Sequence, residues 1–147
     1  MKKNISFKNK KARFEYSFLE EYVAGIKLVG TEIKSIREGK VSFSDSFCYF
    51  KDGELFLKNL SIAEYQKASF EQHEAKRDRN LLLTKRELRK LEAKSQDDGL
   101  TIIPYILFIN DRGLAKVTIV LAKGKKLYDK RFSERLKTDK KQMRDLE

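Results

Sequence analysis

Short runs in which apolar and polar positions alternate or mix, set off by glycine-bearing breaks, predict a chain built mostly of strands. Residues 14–30 mix aromatic, β-branched and polar positions and break at Gly25, which predicts two strands around a turn. Residues 31–39 predict a short helix with Thr31 as N-cap, Ile33 and Ile36 on its buried side at i and i+3, and Gly39 as its stop. Two apolar runs, 47–51 and 54–57, flank Asp52-Gly53, and Asp-Gly between such runs marks a hairpin with a type I′ turn. Residues 61–80 are polar, lack a period and read as a long loop. The box Thr84-Lys85-Arg86-Glu87 opens a second helix with Leu88 and Leu91 as its stripe, and Gly99 ends the element or its following loop. Strands 100–109 and 114–122 then surround the turn Asn110-Asp111-Arg112-Gly113. Pro104 has no N–H for a ladder, so its strand must lie at an edge or bulge there. Val117, Ile119 and Leu121 face one way, and Lys116 and Thr118 the other.

About six strands and two helices in 147 residues predict one mainly β domain with accessory helices (α+β), a small antiparallel barrel or sheet. The last segment departs from this pattern. From Gly124 onward, Thr138 is the only β-branched residue and charges run throughout. Yet Phe132, Leu136, Met143 and Leu146 fall within about an 80° arc on an ideal helix. Such a stripe is too narrow to fold alone, and the pattern fits a tail that becomes helical in a complex as well as a merely solvated extension.

Charge sharpens the picture. The net charge is +11, from 33 Lys and Arg against 22 Asp and Glu. Lys2, Lys3, Lys8, Lys10, Lys11 and Arg13 meet no acid in residues 1–13, and Lys116, Lys123, Lys125, Lys126, Lys130 and Arg131 meet only Asp129 in residues 114–131. Two uncompensated blocks repel each other unless a polyanion lies between them, which points to nucleic acid. No apolar run reaches the ~18–20 residues of a membrane span, no apolar stretch follows the amino-terminal cations, and one cysteine forms no internal disulfide. A soluble, cytoplasmic protein is the expectation.

No catalytic constellation is legible. His73 is the only histidine and lies in a polar stretch, so a surface or RNA-adjacent position is expected. Cys48, between Phe47 and Tyr49, reads as a small buried hydrophobe. One Cys and one His make no zinc site, and Gly124-Lys125-Lys126 lacks the remaining elements of a phosphate loop. No metal, cofactor or small-molecule substrate is expected. What remains is binding: residues 123–131 interleave cations that neutralise phosphates with Tyr128, which offers a stacking face for a base.

In combination and order, several stretches resemble the SsrA-binding protein (SmpB) family of bacterial trans-translation. They are Asn9-Lys10-Lys11-Ala12-Arg13, residues 24–37, Asp45-Ser46, Leu81-Leu82-Leu83, and residues 122–131. The resemblance implies a barrel like the oligonucleotide-binding (OB) fold over 1–123, with 1–8 a flexible basic arm, and a tail over 124–147 that becomes helical on the ribosome. It implies as partners transfer-messenger RNA, through its tRNA-like domain, and the ribosome, with no membrane. RNA binding would fall to Asn9, Lys10, Lys11, Arg13, Leu82, Lys116, Lys123, Lys125 and Lys126. Tyr128, Asp129, Lys130 and Arg131 would occupy the decoding centre and the empty message channel. The chain departs from the family at Val23, where some relatives carry an acidic RNA-contacting residue, and at Ala75 and Asn80. A general RNA chaperone or ribosome-associated protein with an OB-like fold is the alternative that the residues leave open.

Overall fold

In the computed structural model, which describes residues 5–65, 73–97 and 99–125, the chain runs β1 (Ile5–Lys8), α1 (Ala12–Glu15), β2 (Tyr16–Ile26), α2 (Gly30–Arg37), β3 (Val41–Ser42) and β4 (Phe47–Lys51). It continues through β5 (Glu54–Lys58), β6 (Ser61–Ile62), β7 (Arg79–Leu82), α3 (Lys85–Lys94), β8 (Leu100–Ile109) and β9 (Ala115–Gly124). Seven strands form one sheet in the order β1-β8-β4-β5-β7-β2-β9, and β9 pairs again with β8. That second pairing closes the sheet into an antiparallel barrel of β8, β4, β5, β7, β2 and β9. Strand β1 lies along residues 106–109 of β8, beyond the point where β4 meets that strand at Ile102. No helix among the described residues is long and apolar enough to cross a membrane.

Alternation along the strands fills the interior. Val117, Ile119 and Leu121 of β9 meet Ala24 and Ile26 of β2, Leu55 and Leu57 of β5, Leu81 of β7 and Leu107 of β8, all buried. Ile36 of α2 and Leu91 of α3 join the same core. Cys48 is a free, buried thiol, and its burial pushes its pKa up, as a small hydrophobe requires. At the hairpin tip Asp52 and Gly53 both take positive φ, 54° and 79°, as the type I′ turn demands. The helix α3 begins as its sequence predicts, with the Thr84 hydroxyl accepting from the Glu87 N–H at 3.1 Å.

Several expectations are corrected. Residues 16–26 form one continuous strand rather than two, because Gly25 is held in the ladder between Leu82 of β7 and Lys116 of β9. The helix α2 starts after Val29 instead of at Thr31. The Glu32 carboxylate accepts the Val29 N–H at 2.9 Å, and the Thr31 hydroxyl is engaged with His73 Nδ1 at 2.8 Å. The expected loop over 61–80 carries β6 and β7 at its two ends. The arm expected over 1–8 is, from Ile5 to Lys8, a strand paired with β8.

His73 is buried rather than at the surface. Its Nε2 lies 2.8 Å from the Ile62 carbonyl, which can only accept, so that nitrogen carries the proton and ties this segment to β6. Beside it sits a buried ion cluster. Glu32 and Arg79 are both 0% exposed. Arg77 grips both oxygens of Glu32, at 2.9 and 2.6 Å, while Arg79 Nε donates to Oε2 at 2.7 Å. Arg79 also donates to the carbonyls of Leu60, Arg77 and Ala75. Burial raises the Glu32 carboxyl, and the hydrogen bonds from Arg77, Val29 and Arg79 outweigh it, so the folded value lies below the ordinary one. This carboxylate therefore contributes stability above the ordinary value of about 4.3, lost as pH falls through the lowered folded value.

Glu32→Ala strands Arg79 in the interior, and urea unfolding at neutral pH should show a loss of about 3–5 kcal/mol. Glu32→Gln should lose the part of the acid-side slope of stability against pH that this group supplies; an unaltered slope would remove Glu32 as its source.

Candidate nucleic-acid interface

The exterior face is set by a fault in β8. Pro104 cannot donate to the ladder, and the β8–β9 register slips between Pro104 and Ile106. The expected bulge is therefore present. It turns the extra residue, Tyr105, outward together with Ile106, and both join an exterior apolar cluster with Ile103, Val120, Ala122 and Ala12 of α1. Asn9 fastens the amino-terminal segment to this bulge, its backbone N–H donating to the Tyr105 carbonyl at 2.7 Å and its Nδ2 to the Pro104 carbonyl at 3.0 Å. Residues 9–13 are thereby laid over the outer face of β8 and β9. The far half of β9 is buried on both sides, which alternation alone did not predict.

The near half of β9 stays uncovered, and Lys116 projects from it. Direct partners in an antiparallel sheet point to the same side, and Lys116 pairs with Gly25, which in turn pairs with Leu82. On the other flank Lys116 pairs with Phe108, and Phe108 with Ser6. Leu82 and Lys116 thus stand on one face, two strand spacings or about 10 Å apart, with no side chain between them. They border an open cleft of about 630 Å³ that Lys27, Leu28, Ile33 and Leu114 also line. Leu82, Val23 and Leu114 are 48%, 53% and 55% exposed, an unusual run of apolar surface beside free cations. Of these lining residues, Lys27 and Leu114 had no sequence signal stronger than a lone charge and a turn-flanking leucine.

Asn9, Lys10 and Lys11 line a second open cleft of about 540 Å³ with Lys8, Ser44 and Ser46, where Glu15 and Asp45 also contribute. Arg13 lies on the outer cluster, its Nε donating to the Tyr105 hydroxyl at 2.9 Å. Lys123 is on the opposite alternation from Lys116, at the end of the row that faces the core. Lys125 follows β9, its N–H donating to the Glu15 carbonyl at 3.0 Å and its ammonium 5.9 Å from the Phe14 ring. Lys126, Tyr128, Asp129, Lys130 and Arg131 lie outside the described residues. Among the described residues, salt bridges engage Glu38, Glu32 and Glu20, with Lys40, Arg77, Arg79 and Lys94 as their cations. None involves Lys8, Lys10, Lys11, Arg13, Lys27 or Lys116.

A closed antiparallel barrel that carries unpaired cations and bare apolar side chains along open clefts of its outer surface, with no metal-binding cluster among the described residues, defines a nucleic-acid-binding domain of the OB-like class. A model of the SmpB protein family matches residues 6–146, and the chain belongs to that family. It is 56% identical over 139 residues to the SsrA-binding protein of Phocaeicola vulgatus, covering 95% of this chain and 93% of that one. The SsrA-binding protein of Christiangramia forsetii is 60% identical over 131 residues, 89% of this chain and 83% of that relative. That of Thermus thermophilus is 48% identical over 138 residues, with 94% and 96% covered. A chain of the solved structure described as "tmRNA-SmpB: a journey to the center of the bacterial ribosome" superposes with a TM-score of 0.73 at 49% identity, over 95% of this chain and 94% of that one.

Replacing Asn9 by Ala leaves the Pro104 carbonyl without its side-chain donor and should lower unfolding stability by about 1 kcal/mol. Hydrogen exchange of the 9–13 amides, compared between the two proteins, should rise with it; unchanged exchange would show that Asn9 does not hold this segment.

Proposed function

We propose that this protein is an RNA-binding adaptor for the rescue of stalled ribosomes by trans-translation. The barrel binds the tRNA-like domain of transfer-messenger RNA (SsrA RNA) and brings it to the ribosomal A site. The carboxyl-terminal segment, with Tyr128, Asp129, Lys130 and Arg131, occupies the decoding centre and the empty message channel. The protein acts in the cytoplasm, as a binding partner rather than through catalysis of its own.

The observation that carries the RNA reading is the single outer face shared by Leu82, Gly25, Lys116 and the 9–13 segment. Its lysines neutralise phosphates without reading sequence. The bare Leu82 beside Gly25 lets a folded RNA approach the sheet closely and bury apolar surface. Recognition by shape and backbone suits RNA better than duplex DNA, whose major groove is read by an inserted helix or ribbon aimed at base edges. Lys123 and Lys125 lie where the barrel's last strand ends, so one RNA is held on the scaffold while the second contact is made by the segment beyond it.

Lys116→Ala should weaken binding of transfer-messenger RNA and lower the magnitude of its salt slope by about 1. Leu82→Ala should weaken binding by about 1–2 kcal/mol with the slope unchanged, since it removes apolar contact alone. Fluorescence titrations over a salt series measure both, and a full-strength Lys116 variant would take the strand face out of the RNA site. Replacing Asp129, Lys130 and Arg131 together by Ala should leave RNA capture intact and stop trans-translation on stalled ribosomes. Loss of capture would instead put the tail in the RNA site. An excess of unrelated tRNA should not displace transfer-messenger RNA from the wild-type protein; displacement would favour a general RNA chaperone.

A further inference from the structure

Outside the barrel, Lys8, Arg13, Phe18 and Tyr105 form a compact assembly of rings and cations. Phe18 and Tyr105 meet edge to face, with centroids 5.0 Å apart and planes at 76°. The Arg13 guanidinium carbon lies 4.7 Å from the Phe18 centroid and 5.1 Å from that of Tyr105, and Lys8 Nζ lies 5.5 Å from the Tyr105 centroid. The Tyr105 hydroxyl accepts the Arg13 Nε–H at 2.9 Å. Nε is the one guanidinium nitrogen that carries the stem, so this bond and the two ring contacts fix the plane of the group. Among the described residues, no carboxylate takes up its two terminal nitrogens. Tyr105 stands here because of the bulge at Pro104, on the same face as Lys116.

We propose that Tyr105 is a positioning residue for RNA binding: its hydroxyl, with the Phe18 ring, holds Arg13 so that the terminal nitrogens present a preformed fork to one phosphate of the RNA. Planar guanidinium groups bind phosphate in two-pronged fashion, and a fork already held in place loses less freedom on binding. The inference rests on the RNA reading above and adds to it a residue that does not itself meet the RNA. A hydroxyl that acts through Arg13 contributes only while Arg13 is present, whereas one that acts through Lys8, which also approaches this ring, would keep its contribution when Arg13 is removed.

A double-mutant cycle on the full chain, titrated with transfer-messenger RNA over a salt series, tests this. Arg13→Ala should weaken binding about tenfold and lower the salt slope by about 1. Tyr105→Phe keeps the ring and every charge, and should weaken binding roughly threefold or more with the slope unchanged. In the Arg13→Ala background, Tyr105→Phe should change nothing. Arg13→Lys, which keeps the charge and loses the fork, should weaken binding while retaining the slope. Wild-type affinity in Tyr105→Phe, or an undiminished loss in the Arg13→Ala background, overturns the positioning role. Lys116→Ala separates the two readings: a loss there with none in Tyr105→Phe sinks the tyrosine alone, whereas no loss in Lys116→Ala, Arg13→Ala or Tyr105→Phe sinks the RNA face as well.

Discussion

The arrangement of this molecule turns on the missing amide hydrogen of Pro104. A strand that runs through the middle of a barrel has neighbours on both edges, and a residue that cannot donate forces the ladder to slip. In β8 the slip leaves two carbonyls to be satisfied and one extra side chain to be placed. Asn9 meets the first need through its backbone and its side chain. Tyr105 and the cluster around Ala12 meet the second. Ala12 and Arg13 are thereby held against the outer side of β8, the side of the sheet from which Lys116 projects, while Lys10 and Lys11 line the neighbouring cleft with Ser44 and Ser46.

That surface sits on a scaffold made rigid by other means. Barrel closure leaves β8, β4, β5, β7, β2 and β9 with a partner on each side, and such edges offer nothing to a stray strand. The connection between β6 and β7 is organised from its described ends by Glu32, Arg77, Arg79 and His73, which join α2 to β6 and β7 through buried polar contacts. Such a cluster contributes little net stability compared with an apolar core, but once formed it penalises every other path for the chain. The carboxylates of Glu32 and Glu20 are taken up by Arg77, Arg79 and Lys94, whereas no salt bridge among the described residues engages Lys116 or Arg13.

Features set by neighbouring residues were legible in the sequence. The Asp52-Gly53 turn, the Thr84–Glu87 cap, the fault at Pro104 and the outward Lys116 each depend on side chains a few positions apart. Gly25 misled because its continuity in β2 comes from Leu82 and Lys116, 57 and 91 residues along the chain. His73, Arg77 and Arg79 misled for the same reason: in isolation they are polar residues in a polar stretch, and their partners Thr31 and Glu32 lie more than 40 residues away. The family resemblance singled out Asn9, Leu82 and Lys116; what only the fold discloses is that Leu82 and Lys116 flank Gly25 on one face, and that Asn9 caps the bulge as well as lining a cleft.

In the proposed function, the RNA is received on the barrel surface bounded by the 9–13 segment, Leu82 and Lys116. Amide chemical shifts of the isotope-labelled protein, recorded as a fragment carrying the tRNA-like domain of transfer-messenger RNA is added, address it most directly. Perturbations concentrated at residues 9–13, 25–27, 82 and 114–118, with the β4–β5 hairpin on the far side of the barrel unmoved, are the predicted result. Perturbations centred on that hairpin, with Lys116 and its neighbours silent, would place the RNA on the opposite side of the barrel.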